Sequence, residues 1–131
     1  MTYPTLRTTV LDCENPRELA EFYRQLLGLQ YRPGDEPESG DKDWLVLRNP
    51  AGGKLAFQQV EHVQRVTWPE GPVPQQLHLD MSVPDAASLV EQRDRALQLG
   101  ATLLRDRFDD PEEPLYVFAD PAGHPFCIFV L

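Results

Sequence analysis

The sequence predicts an α+β domain built from two copies of one β-α-β-β-β unit. Two helix starts carry N-cap residues, Asn15 and Asp85, and lie 85 − 15 = 70 residues apart. Two turns, Asn49-Pro50-Ala51-Gly52 and Asp120-Pro121-Ala122-Gly123, lie 120 − 49 = 71 residues apart. Because cap, helix and turn recur in the same order at nearly one offset, a repeated unit explains the pattern better than chance does.

The first copy covers residues 5–60. Its helix begins at the N-cap Asn15 with Pro16 in the first helical position, and it ends at Gly28. Leucine and aromatic residues between these ends recur at helical spacing, which predicts one buried stripe. The acidic segment 33–43, rich in Pro and Gly, predicts an exposed loop. The strands predicted in this copy are 6–12, 29–32, 44–48 and 54–60.

The second copy covers residues 76–131 and follows a linker, residues 61–75, that has no regular pattern. Its helix runs from the cap at Asp85 to Gly100. The strands predicted in this copy are 77–83, 101–105, 115–119 and 126–131. At 131 residues, the chain has the length of one domain with its own core.

The composition of the chain argues against several classes of partner. The net charge is −9 and no run of Lys or Arg occurs, which argues against a nucleic-acid partner. No apolar stretch has the length of a membrane span, so no membrane partner is expected. Cys13 and Cys127 are far apart and match no metal or redox spacing, and we therefore expect a reduced, cytoplasmic protein.

The segment 76–85 contains the strongest candidate for a functional site. Apolar residues alternate there with His78, Asp80 and Ser82, so one strand face is predicted to pack in the core and the other to face a polar environment. His78 is one of only 3 histidines. Asp80 is predicted to lie on the same face, where it either orients the imidazole or pairs with an arginine.

These features resemble the vicinal oxygen chelate superfamily, which includes glyoxalase I, bleomycin-resistance proteins and extradiol dioxygenases. The resemblance rests on Asn15-Pro16-Arg17-Glu18-Leu19-Ala20-Glu21-Phe22-Tyr23 leading to Leu27-Gly28, on His78-Leu79-Asp80, and on Asp120-Pro121-Ala122-Gly123. It implies two tandem βαβββ modules whose strands form a curled mixed β-sheet cup around a ligand, with the helices outside. It also implies a homodimer.

The resemblance also implies four inward-facing positions, which metal-using relatives fill with His, Gln or Glu. Here they correspond to Thr8, His78 and Cys127, together with Gln58 by strand position or Ala56 by alignment on the turn. Gln58 lies on a strand face that we expect to be buried. One imidazole without a carboxylate is a poor set for a catalytic divalent ion, so we expect no metal and no other cofactor.

Two aromatic residues complete the candidate site. Phe129 shares a strand face with Cys127 and is either an aromatic wall of the site or plain core. Trp68 lies in the linker, where it either covers a pocket or anchors the loop. The predicted ligand-binding residues are Thr8, Gln58, His78, Cys127, Phe129 and Trp68.

The sequence therefore leads to three hypotheses for function. The first is a glyoxalase-like, cytoplasmic dimer that binds a small organic compound without a catalytic metal and sequesters or modifies it. The alternative is a metal-dependent or histidine-based lyase, isomerase or dioxygenase, with His78 as general base and Asp80 behind it. The third is an interaction domain whose cup is filled by its own side chains.

Overall fold

The structure, a computed structural model, describes every residue from Met1 to Leu131. The chain forms two compact units, Met1–Val63 and Gln64–Leu131. Each unit contains one α-helix and one four-stranded mixed sheet, and each has the element order βαβββ. The predicted α+β, glyoxalase-like fold class is confirmed, and the eight strands form two four-stranded sheets.

The first unit arranges its strands in the order β1-β4-β3-β2. Strand β1 runs parallel to β4, and the other neighbouring strands are antiparallel. Its elements are β1 (Thr9–Cys13), α1 (Pro16–Leu27), β2 (Gln30–Tyr31), a 3₁₀ turn (Pro37–Ser39), β3 (Trp44–Arg48) and β4 (Lys54–Gln59).

Helix α1 begins and ends as its sequence predicts. The Asn15 side chain accepts a hydrogen bond from the Glu18 backbone N–H at 3.2 Å, which satisfies one of the free donors of the first turn. Gly28 ends the helix with φ = 67°, a left-handed conformation that suits glycine. The Tyr23 ring stacks on Phe57 of β4 with centroids 6.0 Å apart, so the apolar stripe of α1 packs against the first sheet.

The acidic loop 33–43 is more ordered than the sequence predicts. Most of it is exposed, but Asp35 is only 2% exposed. One Asp35 carboxylate oxygen accepts a hydrogen bond from the Val46 backbone N–H at 3.0 Å. The Arg17 guanidinium donates to the carbonyl oxygens of Asp35 and Gly40, both at 2.6 Å. The prediction of an exposed loop is therefore wrong only at Asp35, because contacts from α1 and β3 fix the loop there.

The second unit repeats this topology with the strand order β5-β8-β7-β6. Strand β5 runs parallel to β8, and the other neighbours are antiparallel. The pairing of β6 with β7 shifts register between Leu103 and Arg105. The elements are β5 (Leu79–Val83), α2 (Ala86–Leu99), β6 (Thr102–Arg107), β7 (Leu115–Ala119) and β8 (Pro125–Val130).

Helix α2 covers one face of the second sheet. The carboxylate of Asp85, its N-cap, accepts a hydrogen bond from the Ser88 backbone N–H at 2.7 Å, and this bond lowers the pKa of Asp85. At the other end, Gly100 adopts φ = 117°. Arg93 of α2 donates to the Tyr116 hydroxyl at 3.0 Å, which places Tyr116 on the helix side of the sheet.

Several strand boundaries differ from the predicted ones. The first strand begins at Thr9 rather than residue 6, the strand of His78 begins at Leu79, and β6 continues to Arg107. Ladder pairing with a neighbouring strand sets these ends, and single-strand propensity does not report that pairing. Neither helix has the length and apolarity needed to cross a membrane.

Candidate functional site

The candidate site lies on the face of the second sheet that does not carry α2. Asp80 is the pairing partner of Cys127, Cys127 of Val117, and Val117 of Arg105. Because paired residues on neighbouring strands share a face, these four side chains form one row across the sheet, which we call the Asp80 row. Tyr116, the neighbour of Val117 along β7, points to the opposite face, toward α2.

His78 lies just before β5 and has both ring nitrogens occupied. Nε2 lies 3.2 Å from Oδ1 of Asp80, and Nδ1 lies 3.1 Å from Oε1 of Gln75. The indole of Trp68 stacks on the imidazole, with centroids 5.2 Å apart and 10° between the ring planes. The His78 side chain still keeps 33% of its surface exposed. Of the two alternatives for Asp80, the structure thus shows the contact with the imidazole.

The segment 64–75, which we call the strap, brings Trp68 to this position. Although it has no helix or strand, it has its own hydrogen bonds, since the Thr67 backbone N–H donates to the Val73 carbonyl at 2.8 Å. Glu70 forms an ion pair of 2.8 Å with Arg105. Through Trp68 and Glu70 the strap therefore contacts both ends of the second sheet, His78 beside β5 and Arg105 on β6.

Cys127 and Phe129 follow one another on this face of β8. Cys127 is 8% exposed, and burial together with the Asp80 carboxylate raises the pKa of its thiol to about 11. The thiol is consequently protonated at neutral pH, which makes it a poor nucleophile. Phe129, paired with Ser82 in the next row, is half-buried, so it is not enclosed as a core residue would be.

A possible metal-binding set exists within the second unit. One donor atom each from His78, Asp80 and Cys127 lies within 4.8 Å of the other two. Imidazole, carboxylate and thiolate are the three ligand types that zinc uses, and three protein ligands with an open fourth position are typical of catalytic zinc sites. These residues fit such an ion. The sequence reasoning missed this set because it treated Asp80 only as a partner of His78, although the spacing His-x-Asp on one strand was the available signal.

The first unit does not offer an equivalent set. The pairing of Val10 with Ala56 repeats that of Asp80 with Cys127, so Ala56, and not Gln58, occupies the position equivalent to Cys127. A donor set drawn from equivalent positions of both units is therefore not supported. By the same register Gln58 corresponds to Phe129, since their partners Asp12 and Ser82 are 82 − 12 = 70 residues apart.

Thr8 and Gln58 both lie in the first unit. Thr8 is half-buried immediately before β1. Gln58 is exposed, because β4 leaves the core after Phe57, and the expectation of a buried face is therefore wrong for this residue. Their part in ligand binding stays a prediction.

The first unit contains an open groove of about 350 Å³ that the sequence did not indicate. It lies at the start of α1 and includes neither Thr8 nor Gln58. Its lining residues are Glu14, Asn15, Pro16, Arg17, Asp41, Lys42, Asp43 and Gln59. The groove depends on the loop 33–43, whose conformation rests on contacts with α1 and β3, and no local sequence motif marks it.

Comparison with known families agrees with this architecture. The family model for the glyoxalase-like domain matches residues 8–129, nearly the whole chain. The chain belongs to this family, and thereby to the vicinal oxygen chelate superfamily. No curated protein sequence matches it.

Solved structures show the same fold at low sequence identity. A glyoxalase/bleomycin resistance protein/dioxygenase family enzyme from Burkholderia phytofirmans PsJN aligns with a TM-score of 0.71 and 16% identity, over 94% of this chain and 95% of that one. A glyoxalase-related enzyme from Fulvimarina pelagi gives 0.71 and 19%, over 98% and 89%. The oxidase ChaP-H2 gives 0.61 and 19%, over 99% and 95%. At such identities the likeness establishes the fold alone.

Proposed function

We propose that the protein binds a small organic compound at His78 and sequesters or modifies it, with no metal required for binding. The observation that carries this proposal is the arrangement of His78. Gln75 and Asp80 hold the two nitrogens of a partly exposed imidazole, at the end of the row that contains the buried side chains of Cys127 and Val117. Hydrogen-bonding groups fixed beside apolar surface are the usual composition of a small-molecule site.

A sequestering protein works by mass action and needs only affinity. The test is a thermal-shift screen of the full chain against a broad set of metabolites and drugs, because a bound ligand raises the unfolding temperature. We expect at least one compound to stabilise the protein, and His78→Ala to abolish the shift. His62→Ala, which removes another exposed imidazole, is the matched control and should retain it. No stabilisation by any compound, or an equal loss in both variants, would contradict the proposal.

A second candidate is a lyase or isomerase of the glyoxalase type. Two observations favour it: the convergence of His78, Asp80 and Cys127, and the His78–Asp80 contact of 3.2 Å. A zinc-type ion held by these residues would supply Lewis acidity. For His78 to act as general base with Asp80 behind it, the substrate would have to replace Gln75 at Nδ1.

Metal analysis separates the two candidates. Protein purified without chelator is assayed for divalent metals by mass spectrometry. One ion per chain, lost in Asp80→Asn and in Cys127→Ser but retained in Cys13→Ser, would establish the second candidate. Cys13 is a suitable control because it is also a buried cysteine outside any disulfide and it lies in the other unit. Absence of bound metal in protein that still gives a ligand shift would favour the first candidate.

We further propose a cytoplasmic homodimer. Both cysteines are buried thiols outside any disulfide, which agrees with a reducing compartment. Light scattering coupled to size-exclusion chromatography tests the dimer: a mass of twice 14.9 kDa is expected, and a monomeric mass at micromolar concentration would contradict it.

A further inference from the structure

The strap brings an aromatic ring and a carboxylate to the candidate site, two residues apart. Trp68 stacks on His78, and Glu70 pairs with Arg105. These two contacts lie at opposite ends of the sheet, because His78 precedes β5 and Arg105 lies on β6, with β8 and β7 between them. The strap thus places the planar indole of Trp68 on His78 and the negative carboxylate of Glu70 on Arg105.

The two partners of the strap, His78 and Arg105, lie at the same face of the second sheet. Asp80, which contacts His78, and Arg105 are the first and last members of the Asp80 row. Three inter-strand spacings place their Cα atoms about 14 Å apart. Between them lie Cys127 and Val117, which are buried and give the row an apolar middle. From β5 to β6, this face therefore presents an aromatic imidazole, then buried apolar side chains, and finally the Arg105 guanidinium.

From this arrangement we propose that the site takes compounds that combine a planar aromatic ring with a carboxylate, and that Trp68 and Glu70 occupy the same two positions until such a compound displaces the strap. This proposal rests on the proposed small-molecule function and specifies its ligand class. The ring of the ligand stacks on His78 in place of Trp68, and its carboxylate pairs with Arg105 in place of Glu70.

A ligand can replace the contacts of the strap at little cost in free energy. Glu70 is 84% exposed and Arg105 37% exposed, and water and salt screen such an ion pair. A guanidinium pairs with carboxylates in a bidentate manner, and a free carboxylate can adopt that geometry more easily than one tethered to the strap. The negative net charge of the chain opposes an anionic ligand at long range, but salt screens this repulsion beyond about 8 Å at physiological ionic strength.

The experiment compares three probes of similar size by amide chemical-shift titration of the full chain. 4-Phenylbutanoate has the ring and, at the end of a three-carbon spacer, the charge; 4-phenylbutanamide has the ring alone, and 4-cyclohexylbutanoate the charge alone. We expect 4-phenylbutanoate to bind most tightly, with the largest shifts at His78, Arg105 and the strap. Equal affinity for 4-phenylbutanoate and 4-phenylbutanamide would overturn the proposal.

Substitutions at two arginines test whether Arg105 pairs with the carboxylate of the ligand. Arg105→Gln should weaken 4-phenylbutanoate binding by about tenfold or more, since it removes a hydrogen bond between charged groups. Arg107→Gln is the matched control: it lies on the same strand and face, one row away, and pairs with Asp110. An equal effect of both substitutions would indicate diffuse charge and overturn the proposal.

Substitutions in the strap should have the opposite effect on the affinity for the probe. Glu70→Gln removes the competing carboxylate and should tighten 4-phenylbutanoate binding by up to about fivefold. Trp68→Ala should also tighten binding, whereas Trp68→Phe, which keeps a ring, should change it less. Weaker binding in both Glu70→Gln and Trp68→Ala would show that the strap is part of the binding surface, contrary to the proposal.

The outcomes also distinguish this inference from the proposed function. If the thermal-shift screen finds ligands that depend on His78 but show no preference for aromatic carboxylates, only the ligand class is wrong. If no compound binds in a manner that depends on His78, the proposed function itself fails.

Discussion

Asp80 and Cys127 face each other across the parallel strands β5 and β8, as pairing partners on the face of the second sheet that does not carry α2. The carboxylate acts on the thiol in two ways. Its charge disfavours the thiolate, and its hydrogen bond favours the protonated thiol. Burial acts in the same direction and more strongly. The strand register thus adds to the effect of burial in keeping Cys127 protonated.

Removing the Asp80 charge is expected to make Cys127 more reactive. Asp80→Asn should lower the pKa of the thiol from about 11, and the rate of alkylation by iodoacetamide at pH 8 should rise because the thiolate is the nucleophile. Peptide mass spectrometry distinguishes Cys127 from Cys13. Glu113→Gln provides the comparison, because Glu113 raises the same pKa by a smaller amount, and its effect should be smaller. An unchanged rate in Asp80→Asn would contradict this account.

The raised thiol pKa also predicts how stability depends on pH. The folded protein holds the Cys127 proton up to about pH 11, whereas a free thiol releases it near 9.0. Between these values the folded state binds more protons than the unfolded state, so stability falls as pH rises. Below pH 9 the contribution is fully present. In thermal unfolding, wild-type protein should lose more stability between pH 9 and 11 than Cys127→Ala does. Parallel curves for the two proteins would refute the assignment.

The conformation of the loop 33–43, which lines the groove of the first unit, depends on Asp35. Asp35→Ala leaves the Val46 N–H without its partner in a buried position, and this should cost about 1–3 kcal/mol in the free energy of unfolding. Asp41→Ala, in the same loop but exposed, should change the free energy by no more than about 0.5 kcal/mol. Urea unfolding measures both. Equal values for the two variants would mean that the buried hydrogen bond does not hold the loop.

Trp68 offers a spectroscopic measure of the strap. In a Trp44→Phe background it is the only indole, and its emission reports the stacking on His78. His78→Ala removes the ring beneath it, so the emission should move to longer wavelength and iodide quenching should increase. His62→Ala should leave both unchanged. Identical spectra in the two variants would show that the stacked arrangement is not populated in solution.

The fold was predictable because its signals are local. Asn15 with Pro16 and Gly28 mark one helix, and Asp85 with Gly100 mark the other, each by a cap that needs only neighbouring residues. The pairing of His78 with Asp80 was predictable for the same reason, since strand alternation places residues i and i + 2 on one face.

The remaining contacts of the site join residues whose separation carries no periodic signal. Trp68 reaches His78 from a segment without regular structure, and Glu70 reaches Arg105 across 35 positions of sequence. The choice between Ala56 and Gln58 likewise depended on the register between β1 and β4, which neither strand specifies alone. Such features follow from tertiary packing, and the sequence could name the residues but not their partners.

The register shift in β6 determines which arginines the site can use. Leu103 pairs with Phe118 and Arg105 with Val117, so Leu104 is an additional residue on β6, as in a β-bulge. With regular pairing, Arg105 would lie opposite Tyr116 and point toward α2, and Arg107 would follow it. Because Leu104 stays unpaired, the two arginines lie on the outward face of the edge strand. If Leu104 instead paired with Val117 in a regular ladder, both guanidinium groups would lie on the helix side and leave the outward face without a cation for an acidic ligand.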